Sequence, residues 1–277
     1  MRSDAVMQHI VHLSAVPRVS GTPQFLAAAN YVAEQARAAG FEASVVPHSG
    51  GKLFNVIAER KGTAVGADRK LVIAGAHLDS VPRGPGANDN ASGSATLIEI
   101  ARTFAKLPTA NDIRLIWFDG EERGLLGSSA YVREHASDIT RAVAMLNTDM
   151  IGSPNGDVGF SLGSGTSSAI GDAIRGVALR NNITATFRPE RHNRSDHAAF
   201  DRAGVPSAHF GVSVRTVNKD DPNYHRPSDT ADKINKVILE QSADLLALSV
   251  LQFANETKRL LEPRPPRGIH TETGPPL

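Results

Sequence analysis

The feature that most constrains this chain is an alternation. Short apolar runs at Lys52 to Arg60, Lys70 to Ala76, Ile113 to Phe118 and Ala142 to Asn147 read as strands. Stretches of helical length and spacing lie around them: Thr22 to Ala39, Ala91 to Lys106, Gly124 to Ala136, Ser164 to Asn181 and Asp232 to Glu256. Met1 to Leu13 reads as an amphipathic helix. Later short strands are expected around Val158 to Leu162, Thr184 to Arg188 and Ser207 to Val212, and Ser228 or Asp229 is the candidate cap of the last helix. Strands that alternate with helices predict an α/β fold of three layers, with helices on both faces of a mixed, mostly parallel twisted sheet. Ligands in such folds gather at the carboxyl ends of the strands.

Composition narrows the chemistry. With 277 residues, the chain can bury a sizeable core. It contains no cysteine, so it has no disulfide and no thiol nucleophile, and any metal must be held by His, Asp and Glu. That ligand set suits a hydrolytic site better than a structural zinc knot. A net charge of +1 gives no reason to expect nucleic acid or an anionic membrane as a partner. No apolar run of about 18 residues stands out, so a transmembrane helix is not expected. The first residues lack the apolar core of a signal peptide. The compartment is left open by this: cytoplasm, or outside the cell after removal of a signal.

The candidate chemistry falls at the strand exits. Leu71 to Gly75 runs into His77-Leu78-Asp79, Ile113 to Phe118 into Asp119-Gly120-Glu121-Glu122, and Ala142 to Leu146 into Asn147-Thr148-Asp149. A polar loop, Gly86-Ala87-Asn88-Asp89-Asn90-Ala91-Ser92-Gly93, opens a helix between the first two. Tyr224-His225-Arg226-Pro227-Ser228-Asp229-Thr230 follows far downstream. Two histidines and several carboxylates thus sit on converging loops, enough for two metals that share one carboxylate. Adjacent residues at an irregular strand exit point in different directions, so one of Glu121 and Glu122 can bind metal while the other faces water.

These motifs, together with Arg194-Ser195-Asp196-His197, resemble the co-catalytic dizinc aminopeptidases that include the bacterial leucine aminopeptidases. The resemblance spans about residues 50 to 235. It implies a single zinc exopeptidase domain over 1–261; the Pro/Gly-rich composition of 262–277 separately predicts a poorly ordered tail. It implies two zinc ions as cofactors and peptides with a free N-terminus as substrates. Asp89 would bridge the ions; His77 and Asp149 would complete one site, and Glu122 and His225 the other. Glu121 would be the general base, Asp79 would orient His77, and Tyr224 would stabilise the tetrahedral intermediate. Arg194 would line the substrate site, and the Asp89–Asn90 peptide would be cis.

Plainer readings stand beside these. A Glu-Glu pair alone is usually a solvated loop. Trp117 reads as core and His197 as a structural hydrogen-bonding residue. His9, His12, His135 and His270 read as surface residues, and His48, His192 and His209 as structural. The pocket for the first substrate side chain is sought among Phe160 to Ser168 and Val212 to Asp221. Three rival functions remain: glutaminyl-peptide cyclotransferase, another exopeptidase (carboxypeptidase or dipeptidase), and an inactive binding homologue. Glutaminyl cyclases share the fold and a Phe-Asp-Gly-Glu-Glu segment but use one zinc, which would not need both His77 and Asp149. An inactive homologue would usually lack a ligand or the base, and none is missing.

Overall fold

A strand that is apolar at every position needs cover on both faces. Leu71 to His77 is such a strand, and all of its residues are buried. The computed structural model describes residues 1–256. The tail expected over 262–277, and His270 within it, lie outside the described residues. The strands are β1 (Glu42–His48), β2 (Leu53–Arg60), β3 (Leu71–His77), β4 (Asp112–Phe118), β5 (Ala142–Asp149), β6 (Gly159–Leu162), β7 (Thr186–Phe187) and β8 (Ser207–Gly211). The helices are α1 (Ser3–Leu13), α2 (Pro23–Ala38), α3 (Gly93–Phe104), α4 (Leu126–Glu134), α5 (Ala136–Arg141), α6 (Ser168–Arg180), α7 (His197–Arg202), α8 (Val217–Asp220) and α9 (Lys236–Ala254).

The strands form one sheet in the order β1-β2-β4-β3-β5-β8-β6-β7. Its centre, β4-β3-β5-β8, is parallel. β1 and β2 extend it antiparallel at one side, and β6 joins β8 antiparallel at the other. Alternate residues serve opposite faces. Val72, Ala74, Leu115, Trp117 and Leu146 enter the larger core, with residues of α1, α2, α3, α6 and α9. Leu71, Ile73, Ile116, Phe118 and Met145 enter a second core, with Tyr131 of α4 and Phe200 of α7. The mixed, mostly parallel sheet between two helical layers is the expected architecture.

Several details differ from the sequence reading. The edge strand β1 was not expected, because Ser44-Val45-Val46 is short and Pro47 interrupts it. The cap of α9 is neither Ser228 nor Asp229. A short 3₁₀ turn intervenes, and Asn235 accepts hydrogen bonds from the amides of Val237 and Ile238. By length and composition alone α9 is long and apolar enough to cross a membrane, a test that buried core helices also pass. It packs on β3, β5 and α6, with Leu239, Leu245, Leu246, Val250 and Phe253 buried. His9 is buried, contrary to its surface reading. Its ring nitrogens lie 2.7 Å from the Tyr31 hydroxyl and 3.1 Å from Glu99 Oε1, partners contributed by two other helices.

Candidate metal centre

The parallel strands deliver the polar residues at one level. His77 is in register with Phe118 of β4, and Gly75 with Asn147 of β5, so Asp149 ends β5 level with His77. Glu121 and Glu122 follow β4 through a turn at Gly120, whose φ of +74° suits glycine. Asp89 comes from the loop that opens α3, and His225 from the connection between α8 and α9. Met150 (φ +61°) and His225 (φ +58°) hold the left-handed conformation, uncommon for residues with a Cβ. The Asp89–Asn90 peptide is cis.

His77 Nε2 lies 3.2 Å from Asp89 Oδ1 and 3.3 Å from Asp149 Oδ1. On the other side, His225 Nε2 lies 3.1 Å from Asp89 Oδ2 and 3.0 Å from Glu122 Oε2. Asp89 therefore presents one oxygen to each group. The ligand atoms of His77, Asp89 and Asp149 fall within 4.8 Å of one another, as do those of Asp89, Glu122 and His225. Glu121 lies in a third such group, with His77 and Glu122.

The electrostatics suit cations. Burial would lower the pKa of His77, but Asp149, Asp79 and Asp89 outweigh it and hold the imidazole well above its ordinary value. His225 is likewise opposed by burial yet pushed up to about 10 by Asp89 and Glu122. Burial and the Asp89 charge push Glu122 up to about 7. Burial, with Asp149, Asp196 and Glu122, raises Glu121 well above the carboxylate range. Protons are thus drawn to where positive charge is wanted. Asp89 Oδ2 and Glu122 Oε1 are buried without a properly aligned hydrogen bond, although Asp89 Oδ2 is near His225 in distance. Lone pairs that converge without donors fit divalent cations, and nitrogen and carboxylate oxygen are the donors zinc accepts.

The surrounding residues hold this geometry, and the sequence reading assigned roles to few of them. Both oxygens of Asp229 accept main-chain amides, from Asn88 at 2.8 Å and Asp89 at 3.1 Å. Asn88 donates to Ser153 and Asp221, and Asn90 to the Thr148 carbonyl. Ser195 donates to Asp149 Oδ2 at 2.8 Å. Asp229 and Ser195 lay within recognised motifs, but nothing in their spacing pointed to the partners they serve. Asp79 lies beside His77, with a difference of detail. His77 Nδ1 is 3.0 Å from the Asp79 main-chain carbonyl and 3.5 Å from its Oδ1. The Asp79 carboxylate accepts the amides of Glu121 at 3.1 Å and Glu122 at 3.3 Å.

A cleft of about 480 Å³, including its open mouth, leads to these groups. Glu121, Asp149, Tyr224 and Arg194 line it, with Met150, Val212, Val214 and Val217. The Val212 to Asp221 segment thus contributes as expected, whereas no residue of Phe160 to Ser168 lines the cleft. His192 and His209, read as structural, also line it. His197 is buried behind them, with Nε2 2.9 Å from the His192 carbonyl. The Tyr224 ring stacks on His225, and burial together with the nearby carboxylates raises its pKa, so the hydroxyl remains a donor. Arg194 is exposed at the rim.

The model of Peptidase family M28 matches residues 55–250. The chain is 34% identical over 194 residues to aminopeptidase YwaD of Bacillus subtilis, an alignment covering 68% of this chain and 42% of the relative. It is 30% identical over 270 residues to leupeptin-inactivating enzyme 1 of Streptomyces exfoliatus, covering 88% of this chain and 60% of the relative. The chain thus spans roughly half the length of these relatives. Among solved structures, an aminopeptidase from Aneurinibacillus sp. strain AM-1 superposes with a TM-score of 0.83 at 23% identity, over 96% of this chain and 97% of the other. The zinc aminopeptidase BSAP from Bacillus subtilis gives 0.82 at 20% identity, over 92% and 95%. At these identities the structural likenesses establish the fold.

Proposed function

The chain belongs to peptidase family M28, and from that premise we propose that it is a dizinc aminopeptidase that releases N-terminal residues from peptides. The observation that carries this reading is Asp89, with one oxygen beside His77 and the other beside His225. His77, Asp89 and Asp149 would hold one zinc, and Asp89, Glu122 and His225 the other. Bound there, two zinc ions would supply Lewis acidity to a water and to the scissile carbonyl.

The remaining steps belong to the protein. Glu121 opens onto the cleft without being needed as a ligand, and its pKa is raised by burial and by its acidic neighbours. It takes a proton from the attacking water and passes one to the leaving amine nitrogen. Tyr224 donates its hydroxyl to the developing oxyanion. Asp79 fixes the amides of Glu121 and Glu122, so base and ligand are positioned by one carboxylate. Met150, Val212, Val214 and Val217 give the cleft an apolar wall, which favours an apolar first side chain.

Specificity for the N-terminus follows from charge. Glu121 and Asp149 line the cleft and suit a free α-ammonium group, whereas a carboxypeptidase needs a dedicated cation for the terminal carboxylate. Arg194, the arginine of this cleft, is exposed at its rim. The test is hydrolysis of a free peptide against its N-acetylated twin, with zinc content measured on the same protein. The proposal expects rapid release of the first residue from the free peptide only. Equal hydrolysis of both, or release of the C-terminal residue first, would overturn it.

A further inference from the structure

Outside the residues matched by the family model lies a buried cation, Arg18, only 1% exposed. All three of its guanidinium nitrogens donate to main-chain carbonyls. Nε reaches Leu78 at 2.8 Å, Nη1 reaches Leu13 at 2.8 Å and Pro85 at 2.7 Å, and Nη2 reaches Gly86 at 2.9 Å. Its own backbone is tied to the same loop: the Arg18 amide donates to Ser80 Oγ at 2.9 Å, and the Ser80 amide to the Arg18 carbonyl at 3.2 Å. These partners are not scattered. Leu78 sits between His77 and Asp79, and Gly86 lies three residues before Asp89.

We infer that Arg18 is a positioning residue for the metal centre, pinning both ends of the turn that joins His77 to Asp89 so that their ligand atoms converge. The inference rests on the metal reading proposed above. Its physical basis is the planar guanidinium fork, which serves several acceptors at fixed angles. The turn needs such a clamp because it is built tightly. Gly86 has a φ of +61°, and a Cβ there would meet the Asp89 carbonyl at 2.2 Å and Ser80 Cβ at 2.8 Å. The Gly86 carbonyl also accepts the Ala91 amide at 3.0 Å, so its position is passed directly into the Asp89 loop. Arg18 forms no ion pair among the described residues, yet it remains charged. Burial lowers its pKa to about 10, opposed by Asp229, Asp79, Asp89 and Glu122. The guanidinium thus combines a clamp with a fixed positive charge beside an acid-rich centre.

Arg18→Lys separates these two contributions, because it retains a cation but loses the fork. The experiment measures Zn²⁺ affinity of the full chain by competition with a chromophoric chelator, for wild type, Arg18→Lys, Arg18→Met and Ser80→Ala. It also measures the melting temperature of each protein with and without zinc. Loss of a partner that orients metal ligands typically weakens binding about 10–100-fold, and both Arg18 variants should fall in that range. Ser80→Ala, which removes the tie to the Arg18 amide at 2.9 Å and two long contacts of Ser80 Oγ to the Val81 and Gly84 carbonyls, should lose about threefold, in line with one net hydrogen bond. The melting gap between zinc-loaded and metal-free protein should narrow in step, because ligand stabilisation follows affinity. A residue that merely supported the fold would lower both melting temperatures alike and leave the gap intact. Wild-type affinity in folded Arg18→Lys, or an unchanged gap in Ser80→Ala if the Arg18 variants do not fold, would overturn the inference. A wild-type chain that takes up no zinc would instead overturn the metal reading, and this inference with it.

Discussion

Replacing Asp79 tests how the centre is held. Its carboxylate accepts two main-chain amides, from Glu121 at 3.1 Å and Glu122 at 3.3 Å, and is itself fully buried. Hydrogen bonds to a charged group contribute about 1.5–3 kcal/mol each, and these are long, so the lower figure applies. Asp79→Ala removes both, about 3 kcal/mol in all. At about 1.4 kcal/mol per factor of ten, that puts the loss in kcat/KM near 100-fold. Asp79→Asn keeps a carbonyl oxygen as an acceptor and should lose about tenfold. His77 keeps its shorter contact to the Asp79 main-chain carbonyl at 3.0 Å in either variant. The zinc proposed for His77 and Asp149 should therefore be retained, while the proposed Glu122 site weakens and turnover falls. The assay is hydrolysis of leucyl p-nitroanilide over a range of zinc concentrations, with zinc content measured in parallel. Wild-type kcat/KM in Asp79→Ala would refute the reasoning. So would preferential loss of the zinc held by His77, which would return Asp79 to the simpler role of orienting that histidine.

Other outcomes follow from the same geometry. Glu121→Gln should abolish turnover yet leave two zinc ions per chain by metal analysis, whereas Glu122→Gln should leave one tightly bound; equal metal loss in both would overturn this division of roles. Val214→Phe narrows the apolar wall of the cleft and should lower kcat/KM for leucyl amides about tenfold more than for alanyl amides, on the scale of about 1–3 kcal/mol for misfit in an apolar pocket. Asn235→Ala removes the cap of α9 and should destabilise by about 1 kcal/mol, read as a fall of about 2–4 °C in the melting temperature with zinc affinity unchanged.

The central strands and the long helices were legible because their periodicities are set by burial. β3 is apolar throughout because both of its faces are covered, and α2 follows a Thr22-Pro23 start whose Thr22 side chain caps the helix. Local chemistry was legible as well: a polar group directly after an apolar run is a strand exit. What was not legible is pairwise and distant in sequence. His9 looks like a surface residue until α2 and α3 bring Tyr31 and Glu99 to it. His192 and His209 carry no motif, yet both line the cleft, His209 on β8 in register with Asn147 of β5. Arg18 was invisible for the same reason, since its partners are carbonyls and carbonyls leave no mark on a sequence.

The order of the strands explains why so dispersed a set of residues meets at all. β3 is flanked by β4 and β5, although β4 and β5 follow it in the chain with helices between. Three neighbouring parallel strands end on the same side of the sheet, so His77, the Glu121–Glu122 turn and Asp149 emerge within one or two strand spacings, about 4.8 Å each. A sheet supplies only one row of side chains, however, and a row cannot surround an ion. The groups that close the centre from above are therefore those on loops, Asp89 before α3 and His225 before α9. Loops need external fastening to hold a position to a fraction of an ångström. That requirement accounts for the buried polar side chains gathered here: Asp229 on the amides of Asn88 and Asp89, Asn90 on the Thr148 carbonyl, and Arg18 on the carbonyls of Leu78, Pro85 and Gly86. By this argument, substitutions in the fastenings of Asp89 should cost more metal affinity than equally buried substitutions along β3, where the sheet itself fixes the backbone.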